Sequence, residues 1–417
     1  MPRQSSPPKL AKFRKRAGAV IANSVNSLLL PVFNIVISYL VIRFASIDLW
    51  GEFVYWLIIV PLGVHVVSWG NKEYLLRAFS FNPAQIAKTW QTSLISRSGL
   101  FVLLCVALVF TGASSGQSLL LILWSLGLVL FQSYEVFVVY KKDFLFAALV
   151  EAITLTLLVV GIINLGADIT SNWLIFLFGL AYLLKAGLYL LRYHRLTLPP
   201  EINLAWLTDR FEFKYFSLAF PFFLLGFSGM LQSRIDLYAV NIFLPKSQVG
   251  QYQVFINLMI YLQSVSAFIL IPFVKSIYRL GYTSIQRISV RLFGLGLLML
   301  LPALVLVQLM LAYIYQFTLS PYFLVAGGLF VLPIYFYLPI IYALYKADQQ
   351  LTVLKINIIG AGLNFGLNLL LLPSIGMIGA VIASAISQWV MLAAYLMQHK
   401  GLRDGYAVIV PELSSGH

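Results

Sequence analysis

Twelve apolar runs, each long enough to cross a bilayer, occupy most of this chain. A hydrocarbon core needs about 20 apolar residues in helical form. Runs of that kind lie near 18–44, 49–69, 91–111, 118–139, 145–165, 172–191, 215–243, 250–274, 290–315, 321–345, 351–372 and 376–397. Hydrophobic residues make up 61% of the sequence and charged residues 10%, so little is left to build anything outside the membrane. A water-soluble protein of this length could bury one or two such runs, not twelve. The alternating segments of about 10 residues that mark a transmembrane β-barrel are absent. The expected fold is an all-α polytopic membrane protein with twelve transmembrane helices.

The N-terminal stretch Met1–Arg16 is basic, but the run after it is too long for a signal-peptide core and has no cleavage site. The first span is therefore expected to act as a retained insertion signal. Cys105 is the one cysteine, which excludes an internal disulfide and two-cysteine metal sites. It reads as a small buried hydrophobe. His65 has no partner at metal-ligand spacing and reads as a satisfied buried histidine. No metal and no cofactor is implied.

The net charge of +14 is distributed by topology. The tail carries Arg3, Lys9, Lys12, Arg14, Lys15 and Arg16. Every second link is basic: Lys72, Arg77 and Lys88; Lys141 and Lys142; Arg192, Arg195, Arg210 and Lys214; Lys275, Arg279, Arg287 and Arg291; Lys346; then Lys400 and Arg403. The alternate links hold one lysine, Lys246, and no arginine. This is the positive-inside pattern, satisfied by all twelve spans, and it puts both termini in the cytoplasm. The basic links also attract anionic lipid headgroups, so membrane lipids are partners. Nucleic acid is not, because no soluble face gathers basic and aromatic residues.

The longest basic link runs from Arg192 to Lys214. In it Leu204, Leu207 and Phe211 recur at helical spacing beside Trp206, which predicts a short interfacial helix. Pro199-Pro200 marks a break between two halves. Those halves repeat. Phe44, Gly51 and Phe53 match Phe243, Gly250 and Tyr252 at an offset of 199 residues, and Tyr140-Lys141 matches Tyr345-Lys346 at 205. Six spans per half is an even number, so both halves enter from the same side and form parallel repeats around a central cavity. The expected organisation is a basic tail over 1–17, a six-helix half over 18–192, a linker over 193–213, a second half over 214–397 and a C-terminal tail over 398–417.

Ionisable groups inside spans cost about 2.5–3.5 kcal/mol each at the centre. The candidates are His65, Arg97, Glu135, Glu151, Lys185, Arg234, Asp236 and Lys355, with Arg43 and Glu52 flanking the first outer turn. Arg97, Glu135, Glu151, Lys185 and Lys355 lie within two turns of the cytoplasmic ends and are expected to snorkel. Arg234 and Asp236 lie deeper. Polar residues form stripes at 100° per residue. Asn23, Ser27, Asn34 and Ser38 share a face of span one, with Asn26 just off it. On span seven Ser228, Gln232 and Asp236 share one face, and Arg234, Tyr238 and Asn241 another. Gln253, Asn257, Tyr261 and Ser264 align on span eight, and Gln350, Asn357, Asn364 and Asn368 on span eleven. Such stripes either bond neighbouring helices, at roughly 1 kcal/mol a contact, or line a wet cavity. For spans one, seven and eight together the cavity is the better reading. Gly362-x-x-x-Gly366 and Ala380-x-x-x-Ser384 read as close-approach motifs. Prolines 31, 61, 221, 272, 333 and 339 predict kinks.

The segment from Asp236 through Val249-Gly250-Gln-Tyr252 resembles the signature stretch of polysaccharide-repeat-unit (O-antigen, Wzx-type) flippases. Asn364-Phe-Gly-Leu-Asn368 and Pro373-Ser-Ile-Gly376-Met-Ile-Gly379-Ala380 are similar to that family near spans eleven and twelve. The wider exporter superfamily shares these motifs. Its peptidoglycan-precursor flippase carries fourteen spans, two more than counted here. The resemblance implies translocation of an undecaprenyl-pyrophosphate-linked oligosaccharide across a bacterial inner membrane, for O-antigen or other surface polysaccharide. It further implies a cationic cavity lined by spans one, two, seven and eight, coupling to a proton or cation, and a polysaccharide polymerase acting downstream. The buried cations of this chain are few, and Arg234 is the main deep one.

Arg234 is then expected to attract the pyrophosphate, with Ser27, Asn34, Gln232, Asn257 and Tyr261 as further cavity residues. Asp236 either holds Arg234 indirectly or exchanges a proton or cation. The two do not face each other at i and i+2. A membrane enzyme would present catalytic groups on sizeable outer loops, and the outer links here are a few residues long. The nearer alternative is a small-molecule or multidrug exporter of the same superfamily.

Overall fold

The computed structural model describes residues 31–197, 210–270 and 273–414. Helices account for nearly all of them, and no strand occurs among the described residues. In chain order the helices are α1 (Pro31–Phe44), α2 (Ile47–Ser68), α3 (Asn71–Phe81), α4 (Ile86–Val109), α5 (Ser115–Lys141), α6 (Phe144–Leu165) and α7 (Ser171–Thr197). After the linker come α8 (Lys214–Phe243), α9 (Lys246–Leu270), α10 (Tyr282–Leu309), α11 (Pro321–Lys346), α12 (Gln350–Ile375) and α13 (Met377–Ser414). Among the described residues eleven stretches are long and apolar enough to span a bilayer, and α1 is the described part of one further apolar run. The described residues form an all-helical membrane protein with eleven to twelve apolar helices.

The residues fall into two compact units that are not the six-helix halves drawn from the sequence. One contains 56–227; the other contains 46–55 together with 228–417. Two helices therefore change unit along their length, α2 after Tyr55 and α8 after Phe227.

Within the first unit α5 packs closely on α7. Gly127 makes this possible, since a Cβ there would stand 2.7 Å from the Leu183 nitrogen. The basic ends of these helices enclose an aromatic core of Phe79, Trp90, Tyr134, Phe137, Tyr189 and Tyr193. Helix α3 contributes to that core and corrects the sequence reading, which left Lys72 and Arg77 in a plain link. Its buried residues Asn71, Leu75 and Phe79 recur every four positions. The chain turns from α2 into α3 through Trp69 and Gly70, both at positive φ (46° and 67°). Gly70 is required twice over, because a Cβ would also lie 2.5 Å from the Phe223 nitrogen.

In the second unit the start of α2 packs on the start of α9. Gly51 and Gly250, the equivalent glycines of the repeat, meet backbone to backbone. A Cβ on Gly51 would lie 1.8 Å from the Lys246 carbonyl oxygen, and one on Gly250 would lie 2.6 Å from that of Ile47. Beside them Trp50 Nε1 donates to Gln253 Oε1 at 2.9 Å, both buried. Farther along, Pro333 has no N–H to give the Leu329 carbonyl four residues back. Trp389 of α13 supplies the donor instead, at 3.0 Å.

Two packing expectations are overturned. Gly362 and Gly366 approach nothing: a Cβ on either would meet no atom within 4 Å. That side of α12 is open, as exposed Ile358, Ile359 and Phe365 also show. Ala380 and Ser384 are packed as expected, 0% and 1% exposed. Cys105 is only partly buried, beside exposed Val102 and Val106. Helix α13 runs on through most of the expected C-terminal tail. The expected interfacial helix at 204–211 lies mostly outside the described residues, as do the tail over 1–17, Asn23, Asn26, Ser27 and Pro272.

Candidate functional site

The second half of α8 carries the two charges that stood out in the sequence. Asp236 is buried at 4% exposure and is held entirely by donors. Its Oδ1 accepts from the Leu237 backbone N–H at 2.8 Å. Its Oδ2 accepts from the Tyr252 hydroxyl of α9 and from Ser384 Oγ of α13 at 3.3 Å. The chain of bonds continues into α12. Asn364 Nδ2 donates to Ser384 Oγ at 3.3 Å, and Asn368 Nδ2 donates to Asn364 Oδ1 at 2.6 Å. Asn368 is fully enclosed, and its Oδ1 has no hydrogen-bond partner. One carboxylate thus ties four helices of a single unit together.

Arg234 makes no ion pair with Asp236. Two residues apart on a helix, they point different ways. Arg234 Nη1 donates to Asn257 Oδ1 of α9 at 2.7 Å, and the side chain is only half-buried. A guanidinium carries five N–H donors, so this one bond leaves most of its donating capacity unused. Asn257 is itself buried at 8% exposure, which fixes the amide that orients the guanidinium. Gln232 stands one turn before Asp236 with Nε2 3.1 Å from Met391 Sδ, a weak acceptor. Tyr261 is half-buried one turn beyond Asn257. Asn34 is half-buried on α1, in the other unit. Ser27 lies outside the described residues. The span-eight stripe divides: Gln253 serves Trp50, and Ser264 bonds back to the Ile260 carbonyl at 2.9 Å. The span-eleven stripe bonds helices together, with Asn357 accepting from Tyr395 at 2.8 Å.

The charges expected to snorkel behave differently from one another. Lys355 is exposed, as a snorkelling side chain should be. Arg97 and Lys185 correct that expectation, at 1% and 2% exposure. Lys185 pairs with Glu151 at 2.8 Å and lies over the rings of Tyr182 and Phe131, at 4.7 and 5.4 Å. Glu135 pairs with Lys72 of α3 at 2.6 Å, with both side chains more than a third exposed. Depth along a span does not fix which face a side chain takes, and these face inward. His65 lies beside the stacked pair Phe223 and Phe227, with ring centroids 6.1 Å from each, and its Nε2 has no partner among the described residues. No grouping of three or more potential metal ligands occurs among the described residues.

No family model matches this sequence, and no curated protein sequence matches it. Solved structures do. The lipid II flippase MurJ, in an inward closed conformation, is similar with a TM-score of 0.60 at 14% identity, over 90% of this chain and 87% of that one. An inward-facing multidrug resistance MATE transporter of the MOP superfamily is similar with a TM-score of 0.59 at 12% identity, over 93% and 99%. A MOP-superfamily transporter from Pyrococcus furiosus gives 0.54 at 12% identity, over 92% and 95%. At these identities the likeness is one of fold. The chain shares its fold with these solved structures.

Proposed function

We propose that this protein is a transporter that moves a lipid-linked, anionic oligosaccharide from the inner to the outer leaflet of a bacterial cytoplasmic membrane. The observation that carries the reading is the Arg234–Asn257 pair. It is a cation inside a membrane helix, oriented by a buried amide, in no ion pair among the described residues and holding unused donors. An unneutralised guanidinium is costly at that depth unless it serves an anion or lies in a wet space. A pyrophosphate suits a guanidinium fork. Tyr261 and Gln232 lie within reach of the same stretch of α8 and α9 and suit sugar hydroxyls. The head group would travel along this polar face while the polyprenyl tail remained in the bilayer.

Asp236 supplies the coupling. The Asp236 carboxyl group is enclosed by donors from α9 and α13. Its exchange of a proton or cation would loosen or tighten four helices together. The likeness to MurJ, a lipid flippase, agrees with a lipid-linked substrate. The likeness to multidrug MATE transporters keeps one alternative, a small-molecule exporter.

The test is deletion, followed by measurement of surface polysaccharide and of lipid-linked repeat units on the cytoplasmic side. Lost display with accumulated precursor is expected, and Arg234→Ala should reproduce it with normal protein in the membrane. Unchanged display in Arg234→Ala removes that residue from the mechanism. Normal glycan with raised drug sensitivity in the deletion strain replaces the flippase with the exporter.

A further inference from the structure

Between α11 and α13, both in the second unit, lies a groove of about 440 Å³, within the size range of ligand pockets. Ala326 and Leu329 of α11 form one wall, and Ile382, Ala385, Trp389 and Ala393 of α13 the other. Every lining residue is apolar. The one side-chain polar atom among them, Trp389 Nε1, is spent on the Leu329 carbonyl. That bond pins the indole across the groove, so its shape is set before any ligand arrives. The floor is Ala326 and Ala385, both buried. The rims are Leu329, Ile386 and Trp389, each more than a third exposed.

The position of the groove along α13 selects the ligand. Trp389 stands at the middle of the apolar stretch Met377–Gly401. From it the groove reaches Ile382 about 10 Å to one side and Ala393 about 6 Å to the other. A hydrocarbon core is about 30 Å thick, so an acyl chain anchored in either leaflet ends near the middle, after about 15 Å. Such a chain fills one end of the groove, whereas a chain that passes through the middle fills all of it. On the other side of α13, Ser384 meets Asp236 and Met391 meets Gln232. Ile382, Trp389 and Ala393 lie about 140–180° round the helix from Ser384. The groove is therefore level with Arg234 and separated from it by the thickness of α13, about 10–12 Å.

We infer that this groove holds the polyprenyl chain of the lipid-linked substrate while the head group is at Arg234. The inference rests on the transporter reading above and adds where the tail is held. A polyprenyl chain is long enough to cross the middle of the bilayer, so one molecule can cover Trp389 and the alanines on both sides of it. The walls offer nothing to a sugar or a phosphate, so the groove selects by chain and leaves the head to α8 and α9. The chain bears on α13 from behind, at Ala385, the residue after Ser384. A filled groove thus steadies the helix that holds Asp236.

The experiment uses the purified full chain in vesicles of phosphatidylethanolamine and phosphatidylglycerol that contain undecaprenyl phosphate with a diazirine on its chain. After illumination, mass spectrometry of the peptides should find label at 326–329 and 382–393. Unlabelled undecaprenyl phosphate should compete it away, and added phosphatidylglycerol should not. Ala385→Phe fills the floor and should lower the labelling about tenfold, the loss expected when roughly two methylenes are no longer buried. Ile358→Phe, on the open side of α12, should leave the labelling intact. If Ala385→Phe does not fold, the competition on the unaltered chain decides alone. Groove label that phosphatidylglycerol removes equally well overturns the proposal, by assigning the groove to ordinary lipid. No label at the groove overturns it too, as a second copy covering this face would give. An unlabelled groove with glycan display lost on deletion sinks the tail site alone, whereas normal display on deletion sinks the transporter reading itself.

Discussion

Adding one methyl group at Gly51 should do more damage than any other single-methyl change in the chain's glycine motifs. The new Cβ would stand 1.8 Å from the Lys246 carbonyl oxygen, 2.6 Å from its carbon and 3.0 Å from the Gly250 nitrogen. All three are backbone atoms, so no side chain can swing aside. Carbon–oxygen contacts relax at about 3.3 Å, so α2 and α9 must part by about 1.5 Å at this point. That shift would stretch the 2.9 Å Trp50–Gln253 bond past its limit and leave two buried polar groups unmet. Overpacking costs about 1–3 kcal/mol. The stranded pair adds roughly 1–3 kcal/mol. Gly51→Ala should therefore lose roughly 2–6 kcal/mol, a fall of about 4–24 °C in melting midpoint for a unit of this size. Gly250→Ala needs a smaller shift, since its nearest contact is 2.6 Å, and should fall between Gly51→Ala and the unaltered chain. Gly362→Ala meets nothing within 4 Å and should be neutral or gain up to about 1 kcal/mol from helix propensity. The assay is thermal unfolding in one detergent for all three variants. Equal midpoints for Gly51→Ala and Gly362→Ala would refute the close-approach argument.

Asp236→Asn keeps an acceptor for Leu237 and lets the Tyr252 and Ser384 hydroxyls turn, so folding should survive while translocation in a complementation assay is lost; wild-type translocation would remove the carboxylate from coupling. Lys185→Met strands Glu151 and should cost about 3–5 kcal/mol, with much of that recovered in Lys185→Met/Glu151→Leu, as thermal unfolding of both variants will show. By the same measurement Lys72→Met should cost less than about 1 kcal/mol, because the Lys72–Glu135 pair is more than a third exposed.

The spans were legible because a bilayer imposes a length and a composition that no local packing disguises. Gly51 and Gly250 stood out in the sequence through their spacing, and the structure gives those glycines a physical reason in their mutual contact. What stayed hidden was orientation about each helix axis. Arg97 and Lys185 sit at depths from which long side chains usually reach the headgroups, yet both turn inward to Ser133 and Glu151. The clue at Arg97 was Ser93 and Trp90, four and seven residues back on the same face. Gly362 and Gly366 had the spacing of a packing motif, but spacing cannot say whether another helix lies opposite. Helix α3 was missed because its charges mark a link, while its four-residue period of Asn71, Leu75 and Phe79 was the signal of a buried face.

The two charges of α8 gain meaning from the partners they share. Asp236 bonds to Tyr252 and Arg234 bonds to Asn257, so both act on the same pair of helices. Tyr252 and Asn257 are five residues apart on α9, little more than a turn. The two bonds together set the register of α8 against α9. A proton or cation taken up at Asp236, as proposed, would weaken the Tyr252 bond and leave the Arg234–Asn257 bond to hold that register alone. Substrate drawing Arg234 away from Asn257 would shift the load the other way, onto Asp236. Occupancy at each charge thus alters the work of the other across one turn of helix. No long pathway through the bundle is needed for substrate and coupling ion to sense one another.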